Sequence, residues 1–302
     1  MIKSLSGSIG FIKVISSNLK QQKNIYIFLD NHTNNKYCNK KQSLFLHDFI
    51  KTYFLENNNY CFNKKCNLNI FLEEVLSKKN MVSLHKTSKH VNEFFNFYKN
   101  VLNKKYKEYT YAFDIRQYLQ IIDIVLIISN INNYKKIKYK YLFYYINIFL
   151  NMNLNLNDIK QELIENEIIN KLKQIKKNMK ISKNTFVFKH YNLLKERALN
   201  LYNRNYQYVI NCNEEALLEL SYLIDNIMEF YCIYLIINNK ETEILLYAGA
   251  YHCINIAYQL INYYKYSLIY NSTTINIKNL NKYKNDEFLE ELENKDNCIK
   301  FK

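Results

Sequence analysis

Four short segments, far apart in the chain, each end an apolar, β-prone run in side chains able to move a proton, hold a metal or carry a charge. Asp30 and His32 follow the run beginning at Asn24, Glu73 and Glu74 close residues 67–75, Asp114 and Arg116 close 109–115, and Gly249 and His252 follow 242–248. His32, Glu73 and His252, two imidazoles and a carboxylate, match the three-ligand pattern of a catalytic metal site that leaves one position for water. A divalent metal there (Mn, Co, Zn or Fe) would lower the pKa of that water from about 15.7 to about 7, giving a hydroxide nucleophile at neutral pH. Arg116 is suited to orient an anionic substrate group or stabilise a developing oxyanion. Asp30 or Asp114 would hold an imidazole in the correct tautomer, with Glu74 and Gly249 supporting the same rim. A metal-free version uses one histidine as general base, steered by Glu73. Any one of these polar groups could simply be reaching solvent at a strand end. The set, with two of the six histidines and one of the three arginines, favours function.

These residues share a site only if the runs before them lie side by side. Residues 24–30 (NIYIFLD) read as a strand covered on both faces, and apolar positions 45, 46, 49, 50, 53 and 54 repeat with a helical period. Residues 67–75 read as a second strand, Val91, Phe94, Phe95, Tyr98, Val101 and Leu102 mark another helix, and 109–115 form a third strand. Alternating strands and helices imply a parallel sheet. A fourth strand at 242–248 leads through Gly249 into a helix with Cys253, Ile256, Ala257, Leu260 and Ile261 on one face. The chain has only three glycines and no proline, so a glycine at this corner points to positive φ or close backbone approach. It places His252 beyond the carboxyl ends of the strands, where open α/β sheets bind ligands.

Between the third and fourth strands the pattern changes to long helices, at 118–130, 139–151, 157–179, 184–202 and 213–237. In the helix beginning near Asn157, Asp158 and Glu162 sit early and Lys173, Lys176 and Lys177 late, the charge order that complements a helix dipole. The expected fold is therefore α/β: a mainly parallel central sheet flanked by helices, with a large helical insert at 118–238. It forms a single domain over 1–302. Residues 266–270 give a further strand, 273–296 a polar surface segment, and 298–301 a short edge strand.

An apolar share of 48% with 16% aromatics supports a sizeable core and excludes disorder for most of the chain. The net charge of +15 suggests polyanion affinity, but lysine far outnumbers arginine and is spread along the chain, so nucleic acid is expected to bind only nonspecifically, at low salt. Its local lysine clusters, at 135–138 and 173–180, read as solvated faces. Seven cysteines without a regular framework suggest a reduced, intracellular compartment, and Cys61 and Cys66 read as free thiols in a loop. The opening residues lack the apolar core of a signal peptide. The longest apolar stretches, 121–128 and 230–237, fall short of the roughly 20 residues that span a bilayer.

Phe28-Leu29-Asp30-Asn31-His32 resembles the first Gly-(Glu/Asp)-x-His motif, and Gly249-Ala250-Tyr251-His252 the second Gly-x-x-His motif, of the superfamily of TIKI Wnt proteases, TraB/PrgY pheromone-shutdown proteins, erythromycin esterases and ChaN haem-binding lipoproteins. Phe71-Leu72-Glu73 and Asp114-Ile115-Arg116 resemble its strand-end glutamate and arginine. The resemblance runs in order over about 22–270 and is greatest to uncharacterised proteins of large nucleocytoplasmic DNA viruses, whose A+T-rich coding would suit a chain rich in Lys, Asn, Ile and Tyr. It implies an ester or amide hydrolase, metal-dependent in part of the superfamily, in host cytoplasm or virion; its substrate would be a peptide or small ester. Haem binding also occurs in the superfamily and is the less favoured cofactor here. Leu29 stands where the family usually has glycine and Ala250 where viral relatives often have an acid. These departures keep open an inactive scaffold that serves as a host- or virion-interaction protein. Charge alone keeps open a third class, a basic nucleic-acid-binding protein. His85 and His90 are accessory candidates; His47 and His190 carry no distinctive context, and the aromatic 141–145 segment reads as helical packing.

Overall fold

The computed structural model describes residues 4–16, 22–30, 43–57, 60–62, 65–75, 96–120, 123–130, 138–156, 159, 164–181, 185–205, 214–282, 287–289, 292 and 298–300. The chain is a mixed α/β protein whose strands, among the described residues, are β1 (Ser4–Ser6), β2 (Gly10–Ser16), β3 (Asn24–Asp30), β4 (Ser43–Phe45), β5 (Cys61–Phe62), β6 (Lys65–Cys66), β7 (Leu68–Val75), β8 (Thr110–Asp114), β9 (Glu243–Gly249), β10 (Tyr266–Asn271) and β11 (Cys298–Lys300). It divides into two compact units, 1–113 with 235–302, and 114–234.

The first unit is built on a six-stranded sheet of order β10-β2-β3-β9-β7-β8. β9 pairs in parallel with β3 on one side and β7 on the other. This is the parallel core that the apolar runs predicted: Ile25, Ile27 and Phe28, Ile70, Phe71 and Leu72, and Ile244, Leu245 and Leu246 are all buried. β2 was not expected as a strand. It runs antiparallel to both β3 and β10, and its buried residues alternate with half-buried ones, the period-two signature of a strand covered on one face. A small sheet of order β11-β1-β4 and the β5–β6 hairpin complete the strands.

The helix Ala250–Asn262 packs on β3 and β9; of the face expected from the sequence, Cys253, Ile256, Ala257 and Leu260 are buried and Ile261 is half-buried. The helix expected over 45–57 forms as an α-helix, Leu46–Ile50, continued by a π-helical turn, Lys51–Leu55. Within 273–296, expected at the surface, the described polar residues Thr274, Asn276, Lys278, Asn279 and Glu287 are exposed, while Ile275, Ile277, Leu280, Phe288 and Leu292 anchor the segment as buried residues, and Phe288 stacks on Tyr251 at 5.8 Å. Cys61 and Cys66 face each other across β5–β6 and form a disulfide, not the free thiols expected.

Gly10 and Leu29 are cross-strand partners. A Cβ added at Gly10 would lie 2.7 Å from Thr273 Cγ2 and 3.1 Å from Leu29 Cδ2. The glycine therefore makes room for the leucine and the threonine, and Leu29 is fully buried. Gly7, with φ 91°, is the glycine that answers a conformational need.

The described secondary structure of the second unit is helical after Asp114: Ile124–Ser129, Tyr139–Leu142, Tyr144–Leu150, Asn166–Asn178, Phe186–Asn205 and most of Glu214–Asn238. Asp158 and Glu162 lie outside the described residues. Glu214–Asn238 is, by length and composition, a helix able to cross a membrane, which apolar-run length had not indicated; 67% of its most apolar window is buried in the protein. His190 is buried edge-on to Phe230, ring centroids 5.0 Å apart, and burial lowers its pKa from 6.5 to about 4.

Gly10→Ala should destabilise the protein by about 1–3 kcal/mol through overpacking, and Thr273→Ser should recover part of that loss, because it removes the clashing methyl while keeping the hydroxyl that bonds Asn271 Oδ1; urea titration of the single and double variants checks both. Because unfolded His190 takes up a proton near pH 6.5 and folded His190 only near 4, stability is retained above 6.5 and falls as pH drops through that window, by about 3 kcal/mol in all. In His190→Gln the fall in unfolding free energy between pH 6.5 and 4 should be smaller by about that amount, whatever the variant costs at pH 7.

Candidate functional site

Parallel pairing of β3, β9 and β7 brings three of the expected strand ends to one rim. Asp30 aligns with Gly249 across β3–β9, and Glu73 follows Leu72, the partner of Tyr247, across β7–β9. The chain then turns at Gly249 into the helix Ala250–Asn262, which carries His252 in its first turn. Gly249 has φ −53° and ψ 144°, so positive φ is not the reason for glycine at this corner.

Glu73 is the centre of the arrangement. Its Oε2 accepts the Gly249 N–H at 2.7 Å, and its Oε1 lies 3.5 Å from His252 Nε2. A helix leaves its first N–H groups without intrahelical partners and gathers partial positive charge there. The carboxylate from β7 answers both, and it also faces an imidazole carried by the same helix. The two side chains are only 11% and 9% exposed, so the pair is screened little by solvent.

Asp30 is buried beside this pair and is hydrogen-bonded to the Tyr247 side chain. Burial first, then the charge of Asp30, holds the Tyr247 hydroxyl well above its ordinary pKa, with Glu73 and Cys253 adding smaller effects. Tyr247 therefore stays protonated and donates to Asp30. The buried Cys253 thiol donates to the carbonyls of Phe28 and Ala248 at 3.4 and 3.3 Å. Tyr247 was read from the sequence as one more apolar strand residue. Its hydroxyl lies two residues before the glycine, on the strand face shared with it, a placement that suits packing as readily as hydrogen bonding and so carries no signal of its own.

Arg116 is held differently from the expectation. Its Nε and Nη2 fork onto Asp114 Oδ1 and Oδ2 at 3.0 and 2.8 Å, its backbone N–H adds a third bond to Asp114 Oδ1 at 3.0 Å, and Nη1 reaches Asp225 Oδ1 at 3.2 Å. The guanidinium expected to orient a substrate anion is gripped by two carboxylates of its own unit, 114–234. Asp114, expected behind an imidazole, holds Arg116 instead. Asp225, which the sequence does not single out, lies within the helix Glu214–Asn238.

His32, His85 and His90 lie outside the described residues, as does the side chain of Glu74. Among the described residues no three of His, Cys, Asp or Glu gather into a metal-holding group. His47 stacks on Phe45 with centroids 5.6 Å apart and lies 3.6 Å from Asp48. Compared with protein-family models, with curated proteins and with solved structures, the chain matches none.

Glu73→Ala leaves the Gly249 N–H and the imidazole without their carboxylate and should cost about 1–3 kcal/mol of unfolding free energy. Glu73→Gln keeps an acceptor for that N–H and should cost clearly less; equal losses in the two variants by urea denaturation would show that the helix N-terminus does not depend on this bond.

Proposed function

We propose that the chain is a hydrolase of ester or amide bonds, of the TIKI/TraB/erythromycin-esterase type, with Glu73 and His252 as its acid–base element. The observation that carries the reading is the pairing of a strand-end carboxylate with a first-turn imidazole at the mouth of parallel strands, where α/β sheets place their chemistry. On this reading residues 114–234 are an insert into the common scaffold between β8 and β9. The viral origin and the intracellular setting belong to the same proposal.

In the metal-free form, Glu73 orients the His252 ring through Nε2, and the imidazole takes a proton from an attacking water or hydroxyl and returns it to the leaving group. Glu73 also stabilises the imidazolium that forms. The pair equally fits one ion: Oε1 and Nε2 are 3.5 Å apart, and two ligands at bond lengths near 2.0–2.1 Å on a tetrahedral metal are separated by about 3.3 Å. His32 would supply a third donor. Such a metal would polarise the scissile carbonyl and activate water. Asp30 and Tyr247 form a neighbouring hydrogen-bonded pair at the same strand ends.

A second reading rests on the enclosure of the pair and on Leu29. With about a tenth of each side chain exposed, Glu73 and His252 also suit a purely structural ion pair in a scaffold that binds a host or virion partner without turnover.

A broad screen of activated esters and peptides, with and without Mn, Co, Zn or Fe, separates the readings. Hydrolysis should appear, and His252→Gln and Glu73→Gln should each lower kcat about a hundredfold or more with the fold retained by circular dichroism. Turnover unchanged in both variants removes the acid–base assignment, and no turnover on any substrate favours the scaffold. Equal, negligible metal in the unmodified protein and in His32→Ala/His252→Ala after resupply removes the metal version alone.

A further inference from the structure

Three of the lysines at 173–180, Lys173, Lys176 and Lys177, border a concavity while two of them, Lys173 and Lys177, keep the solvent exposure that the sequence leads one to expect. The helix Asn166–Asn178 buries Leu172 and Ile175 and turns Lys173, Lys176 and Lys177 to another side, positions three and four apart that share one helix face. These lysines, with Asn147, Ile148, Asn151 and Asn153, line an open cleft of about 570 Å³, within the range of small-ligand sites.

We propose that this cleft binds a compact, multiply phosphorylated anion. Three lysines are among the residues that line it, and no carboxylate is among the described ones. The charge excess extends beyond the lining: Lys195, from the helix Phe186–Asn205, repels Lys176, and burial together with that repulsion holds Lys176 below the usual lysine range. Lysine presents a mobile point charge without a bidentate fork, which suits clustered phosphates more than a single carboxylate. The three carboxamides add donors and acceptors for phosphate oxygens or hydroxyls. Among the described residues of the lining Ile148 is the one apolar side chain and none is aromatic, so these residues offer no stacking platform for a base.

The cleft is shaped by the end of the helix Tyr144–Leu150. Asn151 and Asn153 take left-handed backbone, φ 56° and 58°, which asparagine tolerates better than most residues. Asn147 Oδ1 accepts the Leu154 N–H at 3.2 Å and so fixes the reversal. The carbonyls at this helix end would repel an anion, but Lys176 Nζ bonds Ile148 O at 3.3 Å and the Tyr191 hydroxyl bonds Leu150 O at 2.8 Å and Phe149 O at 3.3 Å. Lys173 and Lys177 are exposed and remain the reporters of ligand charge.

Calorimetric titration of the full chain with inorganic tripolyphosphate, at about 0.15 M salt, tests this. Binding should saturate at one per chain, and Lys173→Gln/Lys177→Gln should weaken it at least about tenfold, with thermal unfolding unchanged. Lys99→Gln/Lys104→Gln, an equal charge change at exposed lysines elsewhere, should leave it unaltered. Absence of saturable binding, or equal weakening by both pairs, overturns the site. So does a mixed-sequence single-stranded oligonucleotide that binds more tightly than tripolyphosphate through the same two lysines, which assigns the cleft to a nucleic-acid backbone.

Discussion

β9 is the strand on which the first unit depends. It enters the sheet more than two hundred residues after β3 and pairs along both its edges, with β3 from Asn24↔Glu243 to Asp30↔Gly249 and with β7 from Leu68↔Glu243 to Leu72↔Tyr247. Its residues from Ile244 to Ala248 are buried, so neither edge nor face can be given up to water without orphaning ladder bonds and exposing core. The closure entropy of so long a loop grows only slowly with length, and a doubly paired, fully covered strand is able to offset it. The entry is fixed at its first residue: Asn24 N–H bonds Thr242 O at 2.7 Å, and the Glu243 carboxylate accepts from Asn24 Nδ2 and from the Tyr26 hydroxyl.

Lys23 secures the same entry from beneath. Its buried ammonium donates to the carbonyls of Ile236, Ile237 and Asn239, at 2.9, 2.7 and 2.6 Å, where the helix Glu214–Asn238 ends. Burial lowers its pKa to about 8, yet the carbonyl end of a helix is where a cation is best received. Glu73 is its counterpart at the far end of β9, an anion set against the N-terminus of the helix Ala250–Asn262. One strand thus runs between a cation capping the helix before it and an anion capping the helix after it. That polarity gives the Glu73 carboxylate its place at the start of the helix whose first turn carries His252.

The strands carrying the candidate site were legible because a fully covered parallel strand must be apolar almost throughout, and NIYIFLD and EILLYAG are. β2 escaped notice because its alternation with Lys13 and Phe11 half-exposed is a weaker signal than a continuous run. Glu73 and His252 could be named from their positions at strand and helix ends. Tyr247 could not, since a tyrosine in a β-run serves packing as readily as hydrogen bonding. The commitment of Arg116 depended on Asp225, which lies 109 residues on in the chain and has no local mark. Gly10 and Leu29 are a similar case: the small residue explains the large one only once their strands are in register.

The sequence by itself determined the alternation of elements, the apolar faces and the residue types at strand ends, because hydrophobic period and local backbone preference act over a few residues. Tertiary structure alone decided which charges meet. It set Glu73 on Gly249 and His252, closed two aspartates around Arg116, joined Cys61 to Cys66, and turned a lysine-rich helix face into a cleft wall. Coulombic and hydrogen-bonding partners are chosen by distance in space, and strand pairing across hundreds of residues sets those distances.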